Sequence, residues 1–188
     1  PLQAKAVVFR QGDVEAALVF CDLVEVPRAV ATAARELAAQ RTGIPKGNIC
    51  VAATHSHTGP LYHGVLREVF RARAVDANGS DPDDKAEYPL RLAEKIAHAV
   101  AVARKTLAPA RLDAGTATET RLSFNRRFHM KDGSVRFNPG PLNPDIVKVA
   151  GPIDPEVGIV LIRPEADGPP IAGLTVFALH LDTVGGAE

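Results

Sequence analysis

The stretch Ile49-Cys50-Val51-Ala52-Ala53-Thr54-His55-Ser56-His57-Thr58-Gly59-Pro60 joins an apolar run to a His-x-His pair and a turn. The apolar run predicts a β-strand over residues 48–54, with the two histidines at its C-terminal end. Residues i and i+2 of a strand point to the same side, so both imidazoles can face one point in space. Two neutral imidazoles that converge on one point suggest a transition-metal site.

The residues before this strand predict a β-hairpin and a helix. Two apolar runs, 2–10 and 14–23, are separated by Gln11-Gly12-Asp13, which is typical of a tight turn. A helical pattern then begins after Pro27 and ends at Gly43. A strand, helix, strand crossover follows from this order, and such folds bind ligands at the C-terminal ends of their strands.

The rest of the chain predicts further helices and strands in one α/β domain over residues 1–188. A mixed β-sheet flanked by helices is expected, with the metal site at strand C-terminal ends. The predicted segments are a short helix at 61–71, a long helix at 84–107, and strands at 111–119, 157–163 and 171–179. Residues 125–155 are rich in Asn, Arg, Gly and Pro, and we expect an ordered but irregular wall with a turn at 131–133.

Composition excludes several classes of function. The 188 residues are 46% hydrophobic and 23% charged, and no apolar run is long enough to cross a bilayer. Lys plus Arg (22) balance Asp plus Glu (22), so nucleic acid is not an expected partner. Cys21 and Cys50 lie in apolar runs and are expected to be buried free thiols. The chain shows no signal peptide, and we interpret it as a portion of a longer protein.

Further candidate residues lie near the end of the chain. His180 directly follows the last predicted strand, and neighbouring strands of one sheet would bring it close to His55. Asp182 repeats the i, i+2 spacing and could be a ligand or could orient an imidazole. His63 could line the same pocket, whereas His98 and His129 are expected to have no site role. Arg126 offers guanidinium donors for a carboxylate or an oxyanion.

Three ordered motifs resemble the neutral and alkaline, non-lysosomal ceramidases. ATHSHTGP at 53–60 resembles that family's Ala-Thr-His-Thr-His-Ser-Gly-Pro stretch. FNR at 124–126 and NP at 138–139 resemble its Asn-Arg-Ser and Asn-Pro region, and VFALH at 176–180 resembles its Phe-Ala-x-His strand end. The matches span nearly the whole chain, which would be the N-terminal portion of a longer ceramidase-like catalytic domain.

The resemblance implies a Zn2+-dependent amidase of sphingolipid metabolism, which hydrolyses N-acylsphingosine to a fatty acid and sphingosine. It implies that His55 and His180 are zinc ligands, that His57 carries a proton, and that Arg126 binds near the reacting amide. The family completes its zinc site with a Glu and a Tyr far downstream, so the 188 residues alone are expected to be inactive. A lipid amide substrate, peripheral membrane contact and a secreted or periplasmic location are also implied.

Several departures keep alternatives open. Arg127 replaces a small residue of the family, and residues 131–153 differ, so another lipid or N-acyl amide is an alternative substrate. An amidohydrolase-like barrel would need a Lys, His, His, Asp series on later strands, and no such series appears in this sequence. A metallo-β-lactamase-like site would need Asp-His after the histidine pair, where Thr58-Gly59 stands. A domain that retains the fold but binds a ligand or partner without catalysis is the non-enzymatic alternative.

Overall fold

A computed structural model describes residues 2–85 and 87–180. The described chain divides into two compact units, one running to Leu107 and the other covering Ala108–His180. The first unit contains both helices and strands, whereas the second contains strands and loops. The mixed α/β class expected from the sequence is confirmed, although the strands form three small sheets. The assignment of residues 1–188 to a single domain stays a prediction.

The first unit is a mixed three-stranded sheet covered by helices. Its elements are β1 (Ala4–Gln11), β2 (Val14–Cys21), α1 (Arg28–Thr42), β3 (Ile49–Ala53), α2 (Gly64–Asn78) and α3 (Tyr88–Lys105). The two-residue turn between β1 and β2 has a positive φ of 57° at Gly12, which suits glycine. β2 pairs in parallel with β3, so the predicted hairpin and the predicted crossover are both confirmed.

The core of this unit lies between the sheet and two helices. α3 packs on α1 and on β1, and its buried face repeats every three to four residues. Val19 of β2 and Val30 of α1 belong to the same apolar cluster. The buried residues of α3 are Leu92, Ala93, Ile96, Ala97 and Val100. His98 is exposed on α3, as expected.

The end of α2 and the start of α3 differ from the sequence prediction. α2 begins at Gly64 and continues to Asn78, seven residues beyond the predicted end, and Gly79 then adopts a φ of 75°. Pro82–Lys85 forms a separate 3-10 turn, so the long helix begins later than predicted. The buried carboxylate of Asp81 binds the Arg67 guanidinium and ties this turn to α2. These ends depend on a contact between two segments, which helical periodicity does not encode.

The second unit contains two antiparallel sheets. Its strands are β4 (Ala110–Thr118), β5 (Arg127–Met130), β6 (Val135–Phe137), β7 (Ile146–Val149), β8 (Glu156–Pro164) and β9 (Ala172–Phe177). One sheet has the order β4-β8-β9 and the other the order β6-β5-β7. The expectation of an irregular wall is therefore wrong in part, because its residues include a sheet. Its strands are only three or four residues long, too short for an alternating pattern to stand out.

The two thiols differ in exposure. Both cysteines are free, Cys21 is buried as predicted, and Cys50 is exposed. Successive side chains of β3 point to opposite faces, so Ile49 faces the helices and Cys50 faces away from them. The prediction for Cys50 was wrong because an apolar run does not reveal which of its faces is covered.

Candidate functional site

The His-x-His segment stays hydrogen-bonded to the chain that follows β2. The Thr54 N–H donates to the carbonyl of Cys21 at 2.9 Å, and the Ser56 N–H donates to the carbonyl of Leu23 at 3.1 Å. These bonds continue the parallel pairing of β2 and β3 past the last paired strand residues. The segment is thereby held against residues 21–25 although it has left the sheet.

His55 has an unusual backbone conformation. β3 ends at Ala53, and His55 has a φ of 61°, in the left-handed region that few non-glycine residues occupy. The strand-alternation argument for the pair is therefore wrong, because neither histidine lies on the strand. The rings of His55 and His57 nevertheless come close, with centroids 5.0 Å apart and planes at 82°. Backbone strain of this kind is found mostly at functional sites.

A hydrogen bond determines which nitrogen of His55 can bind a metal. Its Nδ1 lies 2.9 Å from the carbonyl oxygen of Val24. A carbonyl only accepts hydrogen bonds, so Nδ1 must carry the hydrogen and donate. In the neutral ring, Nε2 then keeps its lone pair, which is the form in which a histidine binds a metal. A backbone carbonyl behind the ring is also a common partner of metal-binding histidines.

The loop after the histidines is anchored to the same chain segment. Gly59 lies against Leu23 so closely that an added Cβ would be 3.2 Å from the Leu23 Cδ2 atom. The Tyr62 hydroxyl donates to the carbonyl of Glu25 at 2.8 Å, and His63 Nε2 lies 3.2 Å from the Glu25 carboxylate. His63 therefore contributes to this anchor. The three contacts hold the loop in place from Gly59 to the start of α2.

Arg126 and its neighbours connect two motifs of the second unit. The Asn138 N–H donates to the carbonyl of Arg126 at 3.0 Å, which joins the Asn-Arg and Asn-Pro segments. The Arg126 guanidinium lies over the ring of Phe137, 4.9 Å from its centroid. The Asn125 amide donates to the carbonyl of Pro152 at 3.0 Å. The sequence predicted these segments as one region, and the structure shows the contact between them.

His180 lies three residues beyond the end of β9 and is partly buried. β9 belongs to the β4-β8-β9 sheet and β3 to the β1-β2-β3 sheet. The expectation that the strands before His55 and His180 are neighbours in one sheet is therefore wrong, since sequence order does not determine which sheet a strand joins. Asp182 lies outside the described residues.

Three histidines are the candidate metal ligands among the described residues. His55 and His57 lie side by side in the first unit, and His180 is the last described residue of the second. Imidazole nitrogens are favoured zinc ligands, so the donor set fits this ion. The contact with Val24 could not be predicted from the sequence, because Val24 contributes its backbone carbonyl and not its side chain. The positive φ of His55 could not be predicted either, because only a few per cent of non-glycine residues adopt one.

A cavity of about 290 Å³ lies elsewhere in the first unit. Tyr88, Arg91 and Lys95 of α3 line it, together with Cys21 at the end of β2 and Leu23 just after it. It contains none of the candidate site residues. The chemistry of the histidine pair is therefore a better guide to function than this cavity.

Solved structures identify the fold. The neutral ceramidase from Pseudomonas aeruginosa matches over 94% of this chain and 26% of its own, with a TM-score of 0.59 and 23% identity. A ceramidase complexed with C2 matches over 94% of this chain and 25% of its own, with a TM-score of 0.55 and 21% identity. The chain has the fold of part of a ceramidase.

The ceramidase resemblance found in three sequence motifs is thus confirmed at the level of the fold. The chain spans about a quarter of the length of the ceramidases it matches. No protein-family profile and no curated protein matches it. Among the described residues, no helix has both the length and the apolar character needed to cross a membrane.

Proposed function

We propose that this chain carries part of the active site of a zinc-dependent amide hydrolase of neutral ceramidase type. Its substrate would be N-acylsphingosine or a related N-acyl amide, cleaved with water to a fatty acid and an amine. The observation that carries the proposal is the hydrogen bond from His55 Nδ1 to the Val24 carbonyl, which in the neutral ring gives Nε2 the lone pair that a metal ligand needs. The ceramidase fold and the close approach of the His55 and His57 rings support it.

In this proposal, His55 and His180 hold the zinc ion. A bound zinc ion supplies Lewis acidity, which makes water nucleophilic near neutral pH and polarises a carbonyl group. The hydrogen bond to Val24 orients the His55 ring and strengthens it as a ligand. The left-handed backbone of His55 places the ring where this bond can form, which offsets its conformational cost.

His57 is proposed to transfer protons. Its ring lies beside that of His55 and is exposed, so it can exchange protons with water. An imidazole changes its charge near neutral pH, which suits a group that takes a proton from water and delivers it to a leaving amine. This role needs no direct bond to the metal, and it separates His57 from the proposed ligands.

Arg126 is proposed to bind the substrate near its amide. A guanidinium donates several hydrogen bonds in a plane and can stabilise a carbonyl oxygen as it gains negative charge. The contact with the Phe137 ring restricts the position of the Arg126 guanidinium. The bond from Asn138 to the Arg126 carbonyl holds the backbone at the same point.

The proposal extends to the longer protein of which this chain would form a portion. The Glu and Tyr that complete the zinc site of ceramidases lie far downstream in that family, and the chain covers 26% of the matched ceramidase. The 188 residues alone should therefore bind zinc weakly and should not turn over. A lipid amide substrate and a secreted or periplasmic location belong to the same proposal.

Zinc titration tests the assignment of the ligands. Zinc affinity is measured by competition with a chromophoric chelator for the natural chain, for His55→Ala and for His180→Ala. We expect each substitution to weaken binding about tenfold or more, since it removes a ligand. His98→Ala is the matched control, because His98 is exposed on α3 and lies outside the candidate group, and it should bind zinc like the natural chain. Equal affinity in all four proteins would refute the assignment.

A second comparison separates the roles of the histidines. His57→Ala should keep zinc affinity within a few-fold and should abolish release of fatty acid from N-acylsphingosine by the longer protein. If His57→Ala weakens zinc binding as much as His55→Ala, then His57 is a ligand and the proton-transfer role is wrong. If the zinc-loaded longer protein releases no fatty acid from any N-acyl amide, the non-catalytic binding domain is the correct interpretation.

A further inference from the structure

Three consecutive backbone carbonyls accept hydrogen bonds from the loop that carries the histidine pair. The carbonyl of Leu23 accepts from the Ser56 N–H at 3.1 Å, that of Val24 from His55 Nδ1 at 2.9 Å, and that of Glu25 from the Tyr62 hydroxyl at 2.8 Å. Residues 23–25 lie between β2 and α1 and belong to neither a strand nor a helix. Regular secondary structure therefore gives these carbonyls no partners, and the loop supplies them.

The Val24 carbonyl is restrained from both sides. The bond to the Leu23 carbonyl precedes its peptide group, and the bond to the Glu25 carbonyl follows it. A peptide group is planar and turns as a unit about the two α-carbons that flank it. Because both neighbouring peptide groups are held by hydrogen bonds, the Val24 carbonyl cannot turn away from His55 without straining one of them.

Glu25 is held at two points by adjacent residues. The Tyr62 hydroxyl bonds its backbone carbonyl, and His63 Nε2 lies 3.2 Å from its carboxylate. A carboxylate only accepts hydrogen bonds, so His63 Nε2 carries a hydrogen and donates. The Glu25 side chain is 66% exposed, and water weakens an ion pair of this kind. Tyr62 is therefore the stronger of the two restraints, and His63 adds a smaller one.

The Tyr62 hydroxyl is itself held in place by the core of the first unit. The Tyr62 ring contacts the rings of His63 and Tyr88, each with a centroid distance of 4.8 Å. Tyr62 and Tyr88 both pack against the buried apolar cluster, and Tyr88 is the first residue of α3. Burial is the main cause that raises the pKa of Tyr62, so its hydroxyl keeps its hydrogen and donates.

We propose that Tyr62 and His63 are positioning residues, which hold the Val24 carbonyl against His55 Nδ1 and thereby select the tautomer in which His55 can bind a metal. A neutral imidazole can carry its hydrogen on either nitrogen, and a carbonyl at Nδ1 favours the form with the lone pair on Nε2. The expected gain in zinc affinity rests on the proposed function. The effect on the tautomer needs no zinc and can be measured separately.

NMR spectra of the zinc-free chain with isotope-labelled histidine test the tautomer. They are recorded at about pH 8.5, well above the ordinary imidazole pKa of about 6.5, and the His55 signals are those lost in His55→Ala. In the natural chain the hydrogen should lie on Nδ1. Tyr62→Phe removes the hydroxyl and keeps the ring, and it should lower the ratio of the Nδ1–H to the Nε2–H form about two- to tenfold, the equivalent of one hydrogen bond. His63→Leu should lower the ratio less, and His63→Gln, which keeps an N–H donor, should restore it.

Zinc titration measures the consequence for metal binding. Tyr62→Phe should weaken zinc binding about two- to tenfold in the natural chain and should have no effect in a chain that also carries His55→Ala. Tyr88→Phe is the matched control, because among the described residues the Tyr88 hydroxyl donates to none of residues 23–25 while its ring packs on Tyr62. It should behave like the natural chain in both measurements. Thermal unfolding checks that all the variants are folded.

Several results would overturn the positioning role. One is an unchanged His55 tautomer in Tyr62→Phe, even if this variant is less stable, since the residue would then only support the loop. Another is an equal change in the Tyr88→Phe control. If His63→Gln behaves like His63→Leu, the donor of His63 has no part in the effect. If the tautomer depends on Tyr62 but the zinc affinity of the natural chain does not depend on His55, the proposed hydrolase fails and the positioning role stands.

Discussion

Substitution of Gly59 by alanine tests how the histidine loop is held. An added Cβ would lie 3.2 Å from the Leu23 Cδ2 atom and 3.3 Å from the carbonyl oxygen of Asp22. Both distances are shorter than an ordinary contact, and neither neighbour can yield freely. Leu23 is only 2% exposed, and the Asp22 N–H is bonded to the Gln3 carbonyl at 3.0 Å.

The expected effect is a loss of stability and of metal binding. Overpacking of this kind costs about 1–3 kcal/mol, whereas glycine to alanine stabilises by about 0.4–1 kcal/mol through the unfolded chain. The net loss in the free energy of unfolding should be about 1 kcal/mol, or about 2–4 °C in Tm for a chain of this size. Since the loop must move away from residues 21–25, the bond between His55 and Val24 should loosen and zinc affinity should fall several-fold.

Urea unfolding and zinc titration measure the two effects. Gly47→Ala is the matched control, because an added Cβ there would meet nothing within 4 Å and Gly47 has no positive φ. It should leave stability unchanged or raise it by up to about 1 kcal/mol. If Gly59→Ala is as stable as the Gly47→Ala control and binds zinc with unchanged affinity, the loop does not pack on residues 21–25 as described.

Three further predictions concern the first unit. Thr42→Val should lower the free energy of unfolding by about 1–3 kcal/mol, because the buried Thr42 hydroxyl accepts a hydrogen bond from the Ile44 N–H. Thr42→Ser keeps the hydroxyl group and should not lower it by this amount. Cys50 should react with a thiol reagent in the folded protein, whereas Cys21 should react only after denaturation, since burial and then Asp22 raise its pKa to about 11. Hydrogen bonds from the Asp83 N–H and then from the Arg67 guanidinium lower the pKa of Asp81. The ionised Asp81 carboxylate therefore stabilises the fold above its ordinary pKa, and this stabilisation is lost as the pH falls through the lowered pKa. In urea unfolding at acidic pH, the free energy of unfolding of Asp81→Asn should therefore change less with pH than that of the natural chain.

Local patterns were sufficient to predict the sheet and the first helix of the first unit. Gly12 marked the turn between two apolar runs, and Pro27 and Gly43 bounded a helix with apolar residues on one face. These features depend on residues close in sequence, where backbone preference and the period of burial act together. The same reasoning placed His55 and His180 just after strands, each within a few residues of its observed strand end.

Contacts between distant residues decided what the patterns missed. The end of α2 depends on the bond between Arg67 and Asp81, and the short strands β5 to β7 are stable only because they pair with one another. Strands of three or four residues gain little from their own sequence preference, so their pairing partners determine whether they form. The exposure of Cys50 likewise depends on which face of the sheet the helices cover.

The sequence by itself determined which residues are the candidates, because His55, His57, Arg126 and His180 stand in motifs that resemble those of the ceramidases. Only the tertiary structure decided how His55 is presented. The carbonyl of Val24, thirty-one residues earlier in the chain, sets its tautomer, and the contacts of the loop with residues 21–25 hold its backbone at a φ of 61°. The physical reason is that every residue has the same carbonyl group, so only folding can decide which one lies behind the ring.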